Sequence, residues 1–243
     1  MRAPFLLALA LPLVAQAPAP PQAPAQPQAP AQPRAEAILA RVDRLRHPWP
    51  AFTVELTMSS GRSSQRWRVM ARENGDVRLD GLSEAEKGRV VLQKGDDLWL
   101  LLPGTTHPIR VTPQQRLLGP AAEGDVARTR FREDYRVTAL GEVSFDGRAC
   151  WRLDLAARRP VLSARTVRLW VDRATGAPLQ AEFHLASGKL ARTAQFAPPV
   201  EAEGRAVLSR MTLVEAGGAT ATLLFTHWHP GGVDPGKFLL PGS

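Results

Sequence analysis

The sequence predicts a mainly β protein built on one large, curved antiparallel sheet that is apolar on one face and charged on the other. Three observations predict it. Short runs from Phe52 to Phe225 alternate apolar and polar side chains with the period of two that a strand imposes. Turn signals punctuate them: Asn74-Gly75, Gly95-Asp96, Asp146-Gly147, Thr175-Gly176 and Ser187-Gly188. Little of the chain has helical spacing. So many strands in an open sheet must curl, and either a closed barrel or a half-barrel plugged by helices covers the apolar face.

The elements follow in order. Residues 1–17 read as a secretory signal peptide, with Arg2 as the charged region, Ala3 to Val14 as a short apolar run and Ala15-Gln16-Ala17 as the cleavage site. Residues 18–33 contain only Pro, Ala and Gln, a polyproline-biased spacer with nothing large to bury. Fully extended, it would reach on the order of 50 Å. The folded domain is expected over 34–243.

A helix is expected over 35–46, with an apolar stripe of Ile38, Leu39, Val42 and Leu45, and with Arg41, Arg44 and Arg46 off that stripe. His47-Pro48 ends it. The strands come next. Phe52, Val54, Leu56 and Met58 oppose Thr53, Glu55 and Thr57; Trp67, Val69 and Ala71 oppose Arg66, Arg68 and Arg72. Val77 and Leu79 continue that face, as do Trp151, Leu153 and Leu155, then Val167, Leu169 and Val171, then Leu179, Ala181, Phe183 and Leu185. The run Leu98-Trp99-Leu100-Leu101-Leu102 is apolar at every position. Leu98, Leu100 and Leu102 extend the inner face, whereas Trp99 and Leu101 emerge on the outer one and need a cover: a packed segment such as the tail of the chain, or a partner protein. Further helical material is expected at Pro113–Leu118 and, weakly, at Asp125–Asp134.

The formal charge is +8, or +7 without Arg2. Basic charge suits anionic partners; nucleic acid is disfavoured by the export signal, and Arg at alternate strand positions solvates an outer face. Cys150 is the sole cysteine, so no internal disulfide forms. The sequence carries no nucleophile elbow, zinc-protease motif, Walker A loop or paired-Cys motif. His227 and His229 could begin a metal site on one strand face, but no third ligand stands near them. Neither an enzyme nor a bound cofactor is expected.

The order of motifs resembles the outer-membrane lipoprotein-sorting family, the LolA-like half-barrels. Gly95, Asp96, Trp99 and Pro103 match its G-D-x-x-W-x-Y-x-P strand, with Leu101 in place of Tyr. Glu133 and Asp134, here preceding Tyr135, match its acidic segment, and Trp170, Val171, Asp172 and Pro178 match its W-V-D hairpin. The resemblance implies an open half-barrel of about 11 strands with short helices across the concave face. It also implies lipid or lipoprotein acyl chains held between sheet and helices. Phe52, Val54, Leu56, Trp67, Val69, Leu98, Leu100, Leu102, Trp151, Leu153, Val167, Leu169 and Phe183 are the expected lining. The expected protein is a monomeric periplasmic carrier, supplied by an inner-membrane exporter of the ABC or RND kind and emptied at an outer-membrane acceptor. A lipid- or lipoprotein-sensing regulatory module is the alternative.

Overall fold

The structure, a computed structural model, describes residues 32–105, 107–112 and 129–240. The expected leader, most of the Pro-Ala-Gln spacer and the Pro113–Leu118 turn lie outside them. Thirteen strands form one antiparallel sheet: β1 (Phe52–Ser60), β2 (Ser63–Ala71), β3 (Val77–Gly81), β4 (Val90–Lys94), β5 (Asp97–Leu101), β6 (Ile109–Val111), β7 (Tyr135–Phe145), β8 (Arg148–Ala157), β9 (Thr166–Asp172), β10 (Pro178–His184), β11 (Leu190–Phe196), β14 (Arg210–Glu215) and β15 (Thr220–Pro230). A separate hairpin pairs β12 (Val200–Ala202) with β13 (Arg205–Val207). The sheet order is β6-β5-β4-β3-β2-β1-β15-β14-β11-β10-β9-β8-β7. Two meanders thus meet where β15 pairs with β1, and among the described residues β6 and β7 are the edge strands. The sheet is an open half-barrel, with thirteen strands against the expected eleven or so.

Local chemistry makes this topology. Nearly every strand joins its sheet neighbour by a tight hairpin, because Gly and Asp can enter the left-handed backbone region that such turns need. At the β7–β8 turn both Asp146 (φ 49°) and Gly147 (φ 71°) do so. Apolar alternation then fixes the register. In β1, Phe52, Val54, Leu56 and Met58 are all buried while the residues between them are partly exposed.

Two helices pack against the concave face, α1 (Gln32–Arg46) and the single turn α2 (Phe131–Asp134), which is all that the described residues show of the weak helix expected over 125–134. The buried face of α1 is Ala35, Leu39, Val42 and Arg46. This corrects the expected stripe, which ended in Leu45 and put Arg46 outside. Arg46 continues the i, i+3, i+7 row from Leu39 and Val42, and its guanidinium lies over the ring of Phe131 at 5.1 Å. A long cationic side chain can cover apolar surface with its stem in this way. His47 N donates back to Asp43 O at 2.7 Å, and Pro48 follows, so the helix ends where expected.

The helices cover only part of the sheet. Beneath them Leu153, Leu155, Val167, Leu169, Val171, Ala181, Phe183, Met211 and Leu213 form one cluster with Leu39, Val42 and Phe131. On the opposite, convex side, the C-terminal segment answers the question posed by Trp99 and Leu101. A short 3-10 turn, Pro235–Phe238, sets Phe238 into a cluster with Met70 and Leu92, and Trp99, Leu101, Val233 and Leu240 pack around it. Asp234 starts this turn by accepting from Gly236 N at 2.8 Å. Arg72 lies over the Phe238 ring at 5.3 Å, and Arg78 Nη1 donates to Lys237 O at 2.5 Å. The cover is therefore a segment of the chain itself.

Phe238 is 1% exposed. Phe238→Ala is expected to cost about 3–5 kcal/mol, read as a lower urea midpoint with an unchanged slope.

Candidate functional site

The strands that the helices leave uncovered enclose a cavity of about 230 Å³. Its wall is the inner face of β1 to β6 together with β15. Phe52, Val54, Leu56 and Met58 come from β1, and Trp67, Val69 and Ala71 from β2. Val77 and Leu79 of β3, Val91 of β4, Leu98 and Leu100 of β5, and Val111 of β6 continue it. Phe225 and Trp228 close the β15 side, and Arg46 and His47, at the end of α1, close the top. Cross-strand pairing makes the wall continuous: Val54 lies opposite Val69, Val69 opposite Leu79, Leu79 opposite Val91 and Val91 opposite Leu100.

The structure divides the expected lining in two. Phe52, Val54, Leu56, Trp67, Val69, Leu98 and Leu100 line the cavity, where Leu56 and Trp67 also belong to the cluster beneath α1 and join the two regions. Leu153, Val167, Leu169 and Phe183 are buried in the cluster beneath α1, and Trp151 packs against that cluster with the Arg34 guanidinium 3.9 Å above its ring. Leu102 follows the end of β5, where its carbonyl accepts from Thr105 N at 3.2 Å, and it is not part of the wall. Alternation gives both groups the same face, and the helix decides which is filled.

Met58, Ala71, Val77, Leu79 and Val91 belong to the same alternation and were legible as wall residues. Trp228 was not. Strict alternation from Leu223 and Phe225 would bring His227 inward. Instead the β1–β15 register slips, with Thr53 opposite His229 but Glu55 opposite Thr226, and His227 takes φ 52°. This β-bulge turns Trp228 inward, against Phe52 at 5.3 Å between ring centres. His227 is left exposed, with its Nδ1 3.6 Å from Glu55 Oε2.

The polar groups around the cavity are ordered. Glu86, buried in the β3–β4 connection, accepts from Gln65 Nε2 at 3.0 Å and from Arg89 Nη1 at 2.5 Å. Gly81 permits this approach, since any Cβ there would run into the Glu86 backbone. At the other end Arg46 is buried, and desolvation pulls its guanidinium down to about 10 against the opposing pull of Asp43 and Asp134. Asp43 receives the backbone N–H groups of Phe131 and Arg132, both at 2.9 Å, and so caps α2 from α1. Burial pushes its carboxyl up to about 6, although those hydrogen bonds and Arg46 pull the other way.

Two arginines tie the cavity-bearing half of the sheet to α2. Arg159 pairs with Asp134 at 2.6 Å and with Asp96 on the β4–β5 turn. Arg130 donates to Arg72 O at 3.2 Å and Glu73 O at 3.4 Å on the β2–β3 turn.

A family model whose description reads "Uncharacterized protein" matches residues 82–227. None of the curated proteins matches the chain. Among solved structures, a LolA superfamily protein from Nitrosomonas europaea is similar at a TM-score of 0.74 and 27% identity, over 84% of this chain and 97% of that one. The chain belongs to the family of the model that matches residues 82–227, and its fold is that of the LolA-like half-barrels. Two more distant structures share the LolA-like fold. A DUF1329 family protein from Desulfovibrio piger has a TM-score of 0.72 and 15% identity, over 86% of this chain and 97% of its own. A domain described as an outer membrane lipoprotein-sorting protein, from Vibrio parahaemolyticus, has 0.65 and 19%, over 84% and 97%.

Two outcomes are expected of this LolA-like half-barrel. Leu169 is fully buried beneath α1, so Leu169→Glu strands a carboxylate in packed hydrocarbon and should abolish cooperative unfolding. Leu100→Glu places its carboxylate at a cavity that water can enter, and should keep the native circular dichroism spectrum and most of the melting temperature. The second outcome concerns pH. The folded pKa of Asp43, about 6, exceeds the unfolded value of about 3.9. The folded state therefore binds more protons in that window, and stability from this group falls as pH rises from about 4 to about 6. Urea titrations at pH 4.5 and 7.5 should show wild type losing on the order of 2 kcal/mol relative to Asp43→Asn across the interval.

Proposed function

We propose that this protein is a carrier that sequesters an acyl chain of a lipid or lipoprotein in the cavity beneath β1 to β6 and moves it through the periplasm. The observation that carries the reading is the unequal filling of one continuous apolar face. Under α1 the face is a closed core. Toward β6 the same kind of face surrounds space that no described residue occupies. Apolar walls around empty space cost dispersion contacts unless a ligand restores them.

The size suits partial rather than full capture. An apolar cavity of about 150 Å³ admits benzene, so about 230 Å³ takes roughly nine aliphatic carbons. At ~0.8 kcal/mol per methylene, nine are worth about 7 kcal/mol, a dissociation constant on the order of 10 µM. A carrier that must release its cargo is served by such a value. The leader expected over residues 1–17 supports a periplasmic location, and the outer membrane is the natural acceptor for an acylated cargo drawn from the inner one. The role is binding; the described side chains of the wall include no serine, threonine or cysteine.

Protein purified without detergent, extracted into organic solvent and examined by mass spectrometry should yield acyl lipid in amounts comparable to the protein. Leu100→Glu should yield at least about tenfold less while remaining folded. Wild-type protein that carries no lipid, and that takes up none from vesicles, would refute the carrier reading.

A further inference from the structure

The apolar cavity has a polar neighbour. Val77 and Gln93 lie opposite each other on β3 and β4, and both line not only the apolar cavity but a second one of about 110 Å³. Gln93 belongs to the inner face of β4: Val91, two positions earlier, lines the apolar cavity, whereas Leu92 between them is buried on the convex side with Phe238. The second chamber lies between the β2–β3 turn, the β4–β5 turn and α2, the elements that Arg130 and Arg159 join. Its character is the reverse of the first. Asp96, Glu133 and Asp134 face it together with Arg130 and Arg159.

The charges of the chamber are already matched. Arg159 pairs with Asp96 and, at 2.6 Å, with Asp134; Arg130 pairs with Glu133 at 3.1 Å. An ion that enters finds each opposite charge engaged and a like charge beside it, so its lost hydration is not recovered. Hydrogen-bonding capacity remains. An ionised carboxylate offers about four lone-pair sites. Asp134 takes the backbone N–H of Arg130 at 2.9 Å and Arg159 Nη2, and Glu133 takes Arg130 Nη1. A hydroxyl group donates to such sites and brings no net charge.

We propose, building on the carrier reading, that the ligand is an acyl chain with an uncharged, hydroxyl-bearing head of glyceryl size, its chain in the apolar cavity and its head past Val77 and Gln93 in the polar chamber. The methyl end then points toward Gln65 and Arg89 at the far end of the wall. Size selects the head. On the scale of benzene in about 150 Å³, the chamber takes four or five non-hydrogen atoms. The glyceryl head of a monoacylglycerol matches that, and a sugar ring exceeds it.

Isothermal titration of the delipidated full chain with four ligands of one chain length tests this: 1-decanoylglycerol, methyl decanoate, decanoate and decylammonium. The glyceride should bind about tenfold tighter than the methyl ester, which keeps chain and ester but lacks the hydroxyls, and tighter than either ion. Gln93→Leu makes the passage apolar; it should leave the methyl ester unchanged and cut the advantage of the glyceride to about threefold or less. Should that variant fail to fold, Glu133→Gln on the exposed side of α2 unbalances Arg130 and should bring decanoate about threefold closer to the glyceride. Equal binding of glyceride and methyl ester, or tighter binding of either ion, would overturn the head-group chamber and leave the carrier reading standing. Binding of none of the four would overturn both.

Discussion

The concave face of thirteen strands must be removed from water, and the main described element that lies against it is a helix of 15 residues. A helix of that length spans about 22 Å and offers one apolar stripe. The stripe of α1 joins one buried cluster with β7 to β11, β14 and β15, reaching Leu56 and Met58 of β1 and Trp67 of β2. Toward β6 there is more sheet than helix. The cavity, the exposure of its wall and the position of the functional site follow from that mismatch.

Electrostatics holds the boundary between the two halves. Asp43 and Arg46 sit one turn apart on α1 and face α2. The carboxylate orders the start of α2, and the guanidinium lies on Phe131 while also forming the cavity roof. Desolvation shifts both groups toward neutrality despite their mutual attraction, so their pairing is a weak source of stability. Its consequence is geometric: α1 cannot shift without disturbing both α2 and the cavity. Arg130 and Arg159 extend the joint to the turns of β2–β3 and β4–β5. Partly exposed bridges of this kind contribute little energy.

Much of this was legible in the sequence. Alternation in AFTVELTM, QRWRVMAR and RTVRLWVD assigned faces correctly, and the apolar run Leu98–Leu102 announced a strand covered on both sides. Three features escaped it for physical reasons. Leu100 and Leu153 look alike in sequence, since period two reports the face and not what lies opposite. Arg46 was read as solvated because its charge hides an aliphatic stem and a plane that stacks on aromatic rings. Trp228 went unread as a wall residue because a single left-handed residue, His227, breaks the period. The need for a cover over Trp99 and Leu101 was legible, but that Val233, Phe238 and Leu240 supply it, more than a hundred positions away, is encoded in no local pattern.

Photolabelling with a medium-chain fatty acid that carries a diazirine near its methyl end, followed by peptide mapping, tests the division of the concave face most directly. The account predicts adducts on β1 to β5, around Val54, Val69, Leu79 and Leu100, with the segments that carry Leu153, Leu169 and Phe183 left unlabelled. Adducts concentrated on β8 to β10, or spread over the convex face, would contradict it.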